Sequence, residues 1–406
     1  MASITASSVN DILKEDYGPD GVANTAYEDN PGFAAVKKHR MTGAYYRFPV
    51  QYGYASNRSH TSTNALSKTN TTNFVHFNVP TVEDYDAKSL QKKAMEEAQD
   101  PGAFVELLRN VTDSVIKSLS NNAGADFFNH RGAAIGQISA GSNTATPTIT
   151  LADPGDITKF YAGQTLNTSV ANGLTGAIKA GTVTVLSVDR SAATVTATGN
   201  WTAGIATAAA NDFIFPVGDF GIGRAGLADW VPDVTTGLGT AFYTAVRSVD
   251  ASRLAGSRAT VTGLPVSQAI RQLGAIMGRE EGKPDTAFVS WPTLNDLMTE
   301  RDIKLVHTRV DAQGMNATVG FDSVRIIGVR GPIDVVADRS CNDGHGYLVR
   351  IGDGVCIHSQ DAPVKIDDAD GSMMIRESTD FTYDIRGAAF LNYAWAKPVN
   401  LGVMLF

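Results

Sequence analysis

Residues 221–226 read G-I-G-R-A-G, which matches the G-x-G-x-x-G spacing of a dinucleotide-binding loop. Such a loop needs a helix that begins at the third glycine, because the N–H groups of its first turn bind the phosphates. Here Pro232 ends any such helix within about two turns, and no strand-helix-strand pattern surrounds it. We therefore interpret these residues as a flexible glycine loop and not as a nucleotide site.

A second group of residues matches part of a calcium-binding loop. Asp368, Asp370, Gly371 and Glu377 fall at positions 3, 5, 6 and 12 of the template, but position 1 is Ile366. The flanking sequence is strand-like rather than helical, whereas the calcium loop joins two helices. This pattern predicts an acidic turn.

The remaining nucleophiles and metal ligands form no catalytic group. The seven histidines include no H-E-x-x-H and no pair four residues apart, and neither a G-x-S-x-G motif nor a Walker loop occurs. Two cysteines, Cys341 and Cys356, are too few for a disulfide framework, so we interpret them as reduced thiols. The sequence predicts no enzyme activity, no cofactor and no metal site.

Length and composition set the class of protein. The chain has 406 residues, of which 43% are hydrophobic, enough for a large core and two or more domains. Its net charge of -8 argues against a protein that mainly holds a phosphate backbone. It has no uninterrupted apolar stretch of the ~18 residues that a membrane span needs, and its start lacks the features of a secretory signal. We expect a soluble protein that matures in a cytoplasm.

The charges are distributed in blocks. Residues 31–80 contain no Asp or Glu but six basic residues, Lys37, Lys38, Arg40, Arg47, Arg58 and Lys68. The stretch that follows is acidic, with Glu83, Asp84, Asp86, Glu96, Glu97, Asp100 and Glu106. Such a block can form a nucleic-acid patch or a positive surface for another copy of the chain. We favour the second, because a long Ser/Thr/Asn tract interrupts the basic block.

The N-terminal elements are unusual for a free-standing domain. Residues 1–40 are polar and broken by Gly18-Pro19 and Asn30-Pro31, which predicts an extended arm. Two strand-like runs then flank residues 55–73, of which thirteen of nineteen are Ser, Thr or Asn. This predicts a long two-stranded hairpin with a polar tip. An isolated two-stranded ribbon is marginal in water, so we expect a neighbouring subunit to support it.

The rest of the chain alternates between helix and strand patterns. Apolar residues from Phe104 to Leu119, after an Asp100-Pro101 start, predict a helix to about residue 129, roughly 40 Å long. Residues 133–215 have only seven charges in 83 residues and short alternating runs, which predicts an inserted all-β domain. A helix at 265–277, a strand at 286–290, a helix after Pro292 and a central strand pair within 373–406 complete the prediction.

This order of parts resembles the HK97-like fold of the major capsid proteins of tailed bacteriophages. Residues 212–232, 286–297, 331–349 and 383–398 are similar to stretches of that family, and only 133–212 departs from its minimal fold. The resemblance implies an α+β fold made of an N-arm, an E-loop, a P-domain with a long spine helix and an A-domain, with an inserted all-β domain. The implied segments are the N-terminal arm (1–40), the E-loop (41–80), the P-domain spine region (81–132), the inserted β domain (133–215), a connection (216–264), the A-domain (265–370) and the returning P-domain strands (371–406).

The resemblance also implies a function. It implies a non-enzymatic coat protein that assembles into hexamers and pentamers of an icosahedral head around double-stranded DNA, without sequence-specific binding and without a membrane. It implies scaffolding and portal proteins as partners, a decoration protein as a further one, and a virion location after assembly in the bacterial cytoplasm. The alternatives are an encapsulin-like compartment and an α+β ligand-binding protein or enzyme.

Within this family, the charge blocks suggest a contact between subunits. We hypothesise that the basic residues named above lie on the acidic residues of a neighbour, Glu83, Asp84, Asp86, Glu96, Glu97 and Glu106. Part of the family also joins its subunits covalently, and Lys68 is the lysine in the loop placed for this. Because we identify no Asn acceptor and no catalytic Glu, we expect no cross-link.

Overall fold

The computed structural model describes residues 30–53, 59–67, 72–91, 101–300, 307–310, 321–366, 375–376 and 382–406. Eight α-helices lie in these ranges. They are α1 (Pro31–Ala35), α2 (Ser62–Ser67), α3 (Pro101–Phe128), α4 (Trp201–Gly204), α5 (Leu227–Trp230), α6 (Ala251–Leu254), α7 (Val266–Arg279) and α8 (Trp291–Thr299).

Twenty-two strands lie in the same ranges. They are β1 (Lys37–Arg40), β2 (Tyr46–Gly53), β3 (Asn73–Val79), β4 (Tyr85–Gln91), β5 (Gly136–Gln137), β6 (Thr148–Thr150), β7 (Thr165–Ser169), β8 (Val183–Asp189), β9 (Thr194–Ala197), β10 (Phe213–Pro216), β11 (Ser257–Thr260), β12 (Thr286–Val289), β13 (His307–Val310), β14 (Phe321–Gly328), β15 (Gly331–Ala337), β16 (His345–Val349), β17 (Gly354–His358), β18 (Lys365–Ile366), β19 (Ile375–Arg376), β20 (Thr382–Ala388), β21 (Leu391–Trp395) and β22 (Gly402–Leu405).

Helix α3 is the predicted long helix. Its 28 residues make it about 42 Å long at 1.5 Å per residue. Its apolar stripe, which includes Val115 and Leu119, is buried against β20, the strand that pairs with β4. An added Cβ on Gly387 of β20 would lie 2.6 Å from the Val115 side chain, so glycine lets the sheet approach the helix closely. The predicted cap at Asp100 lies outside the described residues.

A seven-stranded mixed sheet forms the second half of the chain. Its strand order is β11-β22-β16-β12-β15-β14-β13, with β12 parallel to β15 and antiparallel to β16. Helix α7 buries Leu273 and Met277 on this sheet, as its three- and four-residue spacing predicted. Helix α8 begins after Ser290, whose hydroxyl accepts a hydrogen bond from the Thr293 N–H at 3.4 Å.

The last three strands do not form the predicted central pair. Strand β20 joins β4, β18 and β19, while β21 is an edge of the three-stranded sheet β1-β17-β21. Strand β22 lies between β11 and β16 in the seven-stranded sheet. The long apolar run is therefore divided among three sheets. The 3-10 turn at Pro398–Asn400 redirects the chain between β21 and β22. The prediction was right about burial and wrong about pairing.

The hairpin of β2 and β3 is present, in a register that places Phe48 opposite Phe77. Its root is buried by its own chain, since both rings pack on Trp230 with centroid distances of 6.2 Å and 5.3 Å. Farther along the hairpin Phe74 is 54% exposed. The chain thus supports the root, contrary to the expectation that a neighbouring subunit must do so, and leaves Phe74 as the exposed aromatic side chain of the described part of the hairpin.

Residues 136–216 form a six-stranded sheet in the order β5-β10-β7-β8-β9-β6. This sheet surrounds a hydrophobic cluster of its own, which includes Ile138, Phe160, Leu166 and Trp201. That the region is an insertion relative to the minimal fold stays a prediction, as do the other segment boundaries given above.

Deleting residues 140–210 should leave the rest of the protein folded. The two ends of the deletion are adjacent, because the Ile138 N–H donates to the Asp212 carbonyl at 2.8 Å and the Asn211 N–H donates to the Ile138 carbonyl at 3.0 Å. A short Gly-Ser linker can therefore join them without strain. We expect a cooperative thermal transition by circular dichroism. Loss of that transition would show that the six-stranded sheet is part of one folding unit with the remainder.

Candidate functional site

The glycine loop at residues 221–226 lies against the C-terminal end of α3. The N–H groups of Gly221, Gly223 and Gly226 donate to the carbonyls of Gly132, Arg131 and Asn129 at 3.0, 2.7 and 3.2 Å. An added Cβ on Gly226 would lie 2.1 Å from the Asp126 carbonyl oxygen. The loop is thus firmly packed, and the prediction of a flexible loop was wrong. The glycines serve close backbone approach, and the one-turn helix α5 that follows gives no phosphate site.

Arg224, inside this loop, is the centre of a buried ion cluster. Its side chain is about 1% exposed and donates to Asp126 Oδ2 at 2.7 Å and to Asp84 Oδ2 at 3.0 Å. It also donates to the Ala389 carbonyl at 3.2 Å. These contacts join the glycine loop, α3, the residues before β4 and the end of β20. Burial raises the pKa of Asp126 to about 6, although the Arg224 charge opposes this shift.

Asn392 of β21 forms a second polar hub beside this cluster. Its fully buried amide accepts from the Ala225 N–H at 3.0 Å and donates to the Pro80 carbonyl at 2.8 Å and to the Tyr243 hydroxyl at 3.0 Å. These contacts join β21 to the glycine loop, to the residue after β3 and to the segment that contains Tyr243. The root of the hairpin is therefore held by hydrogen bonds as well as by aromatic packing.

The end of the N-terminal arm is anchored to the same region. Asp338, which follows β15, accepts hydrogen bonds from the N–H groups of Gly32 and Ser340, each at 2.9 Å. Phe33 is fully buried, and an added Cβ on Gly32 would lie 2.8 Å from the Phe127 ring. Residues 31–35 form a helical turn here, where the sequence predicted extended chain.

Asp338 should make the stability of the protein depend on pH. Burial raises its pKa to about 6, above its ordinary value of 3.8. The folded state therefore binds a proton that the unfolded state does not bind between these values, so the free energy of unfolding falls as pH rises through this window. We expect this group to contribute about 1 kcal/mol more stability at pH 5 than at pH 7, measured by urea unfolding.

The D338N variant should show a pH slope reduced by that amount. D361N, at an exposed position, is the matched control and should keep the wild-type slope. An unchanged slope in D338N would contradict the assignment of this group.

The basic residues predicted to contact a neighbour have different surroundings. Lys37 and Arg47 are exposed, and Arg40 forms an exposed ion pair with Asp361 at 2.8 Å. Lys38 is turned inward, where its ammonium group donates to the carbonyls of residues 33, 34 and 36, and burial lowers its pKa to about 8. Arg58 and Lys68 lie outside the described residues.

The predicted acidic counterparts are divided in the same way. Asp84 is engaged by Arg224 of its own chain, Asp86 lies 3.7 Å from Lys88, and exposed Glu83 accepts from the Tyr85 hydroxyl at 2.9 Å. Glu96 and Glu97 lie outside the described residues, as does the side chain of Glu106 in α3. The structure thus brings none of the six basic residues onto these acids within one chain, among the residues it describes.

The two cysteines and His130 are enclosed or bonded within the fold. Cys341 and Cys356 are free and buried, and burial raises the pKa of Cys356 to about 11. His130 Nδ1 lies 3.5 Å from Asp229, and although burial lowers the pKa of His130, this carboxylate raises it above its ordinary value.

No three His, Cys, Asp or Glu side chains of the described ranges are grouped as a metal site requires. No helix in these ranges is long and apolar enough to span a membrane. The predicted acidic turn lies largely outside them.

Sequence reasoning missed Arg224, Asp126 and Asn392 as the residues that hold the site together. Arg224 lies inside the G-x-G-x-x-G motif, which we interpreted as a flexible loop once the nucleotide site was rejected. The available signal was its position between Gly223 and Gly226, two glycines that allow another part of the backbone to come close. Nothing in the local pattern of α3 marks Asp126, because its partner lies 98 residues away.

No protein-family model matches the chain, and no curated protein matches it. Among solved structures, it is similar to the cyanophage A-1(L) capsid asymmetric unit, with 10% identity, a TM-score of 0.52, and coverage of 94% of this chain and 92% of that one. It is also similar to the capsid of a native GTA particle, with 10% identity, a TM-score of 0.46, and coverage of 95% and 90%. The holo-SrpI encapsulin complex of Synechococcus elongatus shares 8% identity, with a TM-score of 0.46 and coverage of 91% and 84%.

The similarity to the cyanophage capsid chain covers nearly all of both chains. It confirms the fold predicted from the order of elements. The chain has the HK97-like capsid fold, with mixed helix and sheet.

Proposed function

We propose that the chain is the major capsid protein of a tailed bacteriophage, which assembles into hexamers and pentamers of an icosahedral head around double-stranded DNA. The observation that carries this proposal is the likeness of fold, over nearly the full length, to the cyanophage A-1(L) capsid chain. In this proposal the protein is a building block of the virion and not an enzyme. Its net charge of -8 fits a shell that must not hold its DNA tightly.

Exposed apolar side chains support a shell-forming role. Phe74 on the hairpin and Ile327 at the end of β14 are 54% and 83% exposed. In this proposal, contacts with other subunits cover both side chains. Scaffolding, portal and decoration proteins are further proposed partners that follow from the function.

The exposure of the charged side chains decides which of them we propose for the charge contact between subunits. Lys37 and Arg47 are exposed on the basic side and Glu83 on the acidic side, so these described residues are the best placed to meet across an interface. Lys38 and Asp84 are not, because each is engaged within its own chain. We propose that Arg47 of one subunit faces the Glu83 region of its neighbour, together with Arg58 and Lys68.

Reversing Arg47 should impair assembly without unfolding the chain. The R47E variant should lower the yield of assembled particles by about threefold or more at low salt, because like charges then oppose each other across the interface. The double variant R47E/E83R should recover that yield, and both should melt like the wild type. The measurement is the fraction of protein in the fast-sedimenting boundary, as a function of salt. An unchanged yield for R47E would contradict the contact.

Sedimentation velocity tests the proposed function itself. The chain is expressed alone and with its neighbouring genes, and we expect a species far heavier than the 43.0 kDa chain. A species that is a monomer in both cases would overturn the proposal. A heavy species that encloses enzymes in place of DNA would favour the encapsulin-like alternative.

A further inference from the structure

A cleft of about 690 Å³ lies between the root of the hairpin, the end of α7 and residues 396–400. Five cationic side chains line it, Arg253, Lys283, Arg330, Arg350 and Lys397, against two carboxylates, Glu280 and Glu281. The cleft therefore has an excess of three positive charges in a chain whose net charge is -8. Such a concentration of one sign in a concave surface raises the local concentration of anions.

Only part of this charge is balanced within the fold. Arg253 Nε lies 3.6 Å from Glu280, and Arg330 donates to the Gly282 carbonyl at 3.4 Å. Within the described part of the chain, the side chains of Lys283, Arg350 and Lys397 make no hydrogen bond or ion pair. These three cations are available to a partner.

The first 29 residues of the same chain carry the opposite charge. They contain six carboxylates, Asp11, Glu15, Asp16, Asp20, Glu28 and Asp29, and one basic residue, Lys14. These residues lie outside the described ranges, and the chain enters the fold at Asn30, next to α3. From Asn30, Asp20 can reach up to about 35 Å and Asp11 up to about 65 Å in extended chain. A domain of this size has a radius of gyration of about 22 Å. Asp11 and Asp20 can therefore reach much of the surface of their own chain.

We propose that residues 1–29 bind the basic cleft of their own chain and so act as a built-in competitor for other polyanions, DNA included. Attachment to the same chain favours this partner, because a tethered segment has an effective concentration in the millimolar range. The walls of the cleft also suit a peptide better than a phosphate backbone. Pro49 and Phe74 offer apolar contact to Ile12 and Tyr17, for which a phosphate backbone has no counterpart.

Binding of a short DNA duplex tests the competition. The probe is a fluorescently labelled oligonucleotide at low salt, with dilute full-length protein and anisotropy as the readout. A variant with neutralised acids, D11N/E15Q/D16N/D20N, should bind the duplex about tenfold more tightly than the wild type, because the cleft is then uncovered. Adding K283Q/R350Q/K397Q should abolish the gain, whereas a general effect of net charge would survive it.

Two results of this experiment would overturn the proposal. If the wild type binds the duplex as tightly as the variant, the acidic segment does not compete for the cleft. If the variant's gain in affinity survives the added K283Q/R350Q/K397Q substitutions, the gain comes from net charge and not from uncovering the cleft.

Disulfide trapping tests whether the segment comes from the same chain. The variant E15C/K397C is oxidised at high dilution, and the two natural cysteines are buried and do not interfere. We expect a disulfide within one chain, seen as a monomer with altered migration on a non-reducing gel. A dimer would assign the segment to a neighbouring copy, and no disulfide would show that the segment does not reach the cleft; each contradicts the proposal. Neither readout requires a shell, so failure here is distinct from failure of the proposed function.

Discussion

Replacing Arg224 by methionine is expected to destabilise the protein by about 3 to 5 kcal/mol, the largest effect of any single substitution proposed here. The guanidinium group is buried and binds Asp126 and Asp84 at 2.7 Å and 3.0 Å. Methionine fills much of the volume but leaves both carboxylates and the Ala389 carbonyl without their donor. Removing one partner leaves the other charges of a buried cluster uncompensated. This destabilises a protein far more than replacing the whole cluster by apolar residues does.

The matched control is Arg325→Met, which removes an arginine from a surface pair. Arg325 Nε lies 2.6 Å from Asp334 Oδ1, as short as the contacts of Arg224, but its side chain is 37% exposed. Exposed pairs contribute about 1 kcal/mol or less. Both variants are measured as unassembled protein by urea unfolding. Equal losses would contradict the view that burial and the shared carboxylates make Arg224 the centre of the site.

Gly226→Ala is expected to cost about 3 kcal/mol, since overpacking against a fixed backbone has no easy relief. The new Cβ would lie 2.1 Å, 2.6 Å and 2.7 Å from the carbonyl oxygens of Asp126, Asn129 and Phe127. These oxygens belong to the end of α3 and the residue after it, so the loop must separate from the helix. Arg224, two residues earlier, would be displaced with it.

Gly239→Ala is the control for Gly226→Ala. No atom lies within 4 Å of a Cβ at Gly239. We expect its midpoint of thermal unfolding to match the wild type, whereas that of Gly226→Ala should be clearly lower. A Gly226→Ala variant as stable as the control would show that the loop is loosely packed after all.

The sequence predicted the elements that carry their own periodic signal. The stripe of α3, the α7 face with Leu273 and Met277, and the two runs of the hairpin are local patterns of spacing three, four or two, and each is present in the structure. The order of these elements was enough to identify the fold, which the structural similarity confirms.

The sequence did not predict how distant segments meet. Strand β20 pairs with β4, β21 with β17, and β22 with β11 and β16, and no local pattern specifies these partners. The Arg224 cluster joins residues 98 and 140 positions apart, so neither carboxylate could be assigned to it beforehand. The same reason explains why Asp84 looked like a surface charge, although its partner Arg224 lies inside the fold.

Electron microscopy of the purified product tests the central claim most directly. The chain is expressed alone and with its neighbouring genes, and the fast-sedimenting fraction is imaged in negative stain. The account predicts closed shells, or rings of five or six subunits, in that fraction. A well-behaved monomer under all these conditions, with no ring or shell in any image, would contradict it.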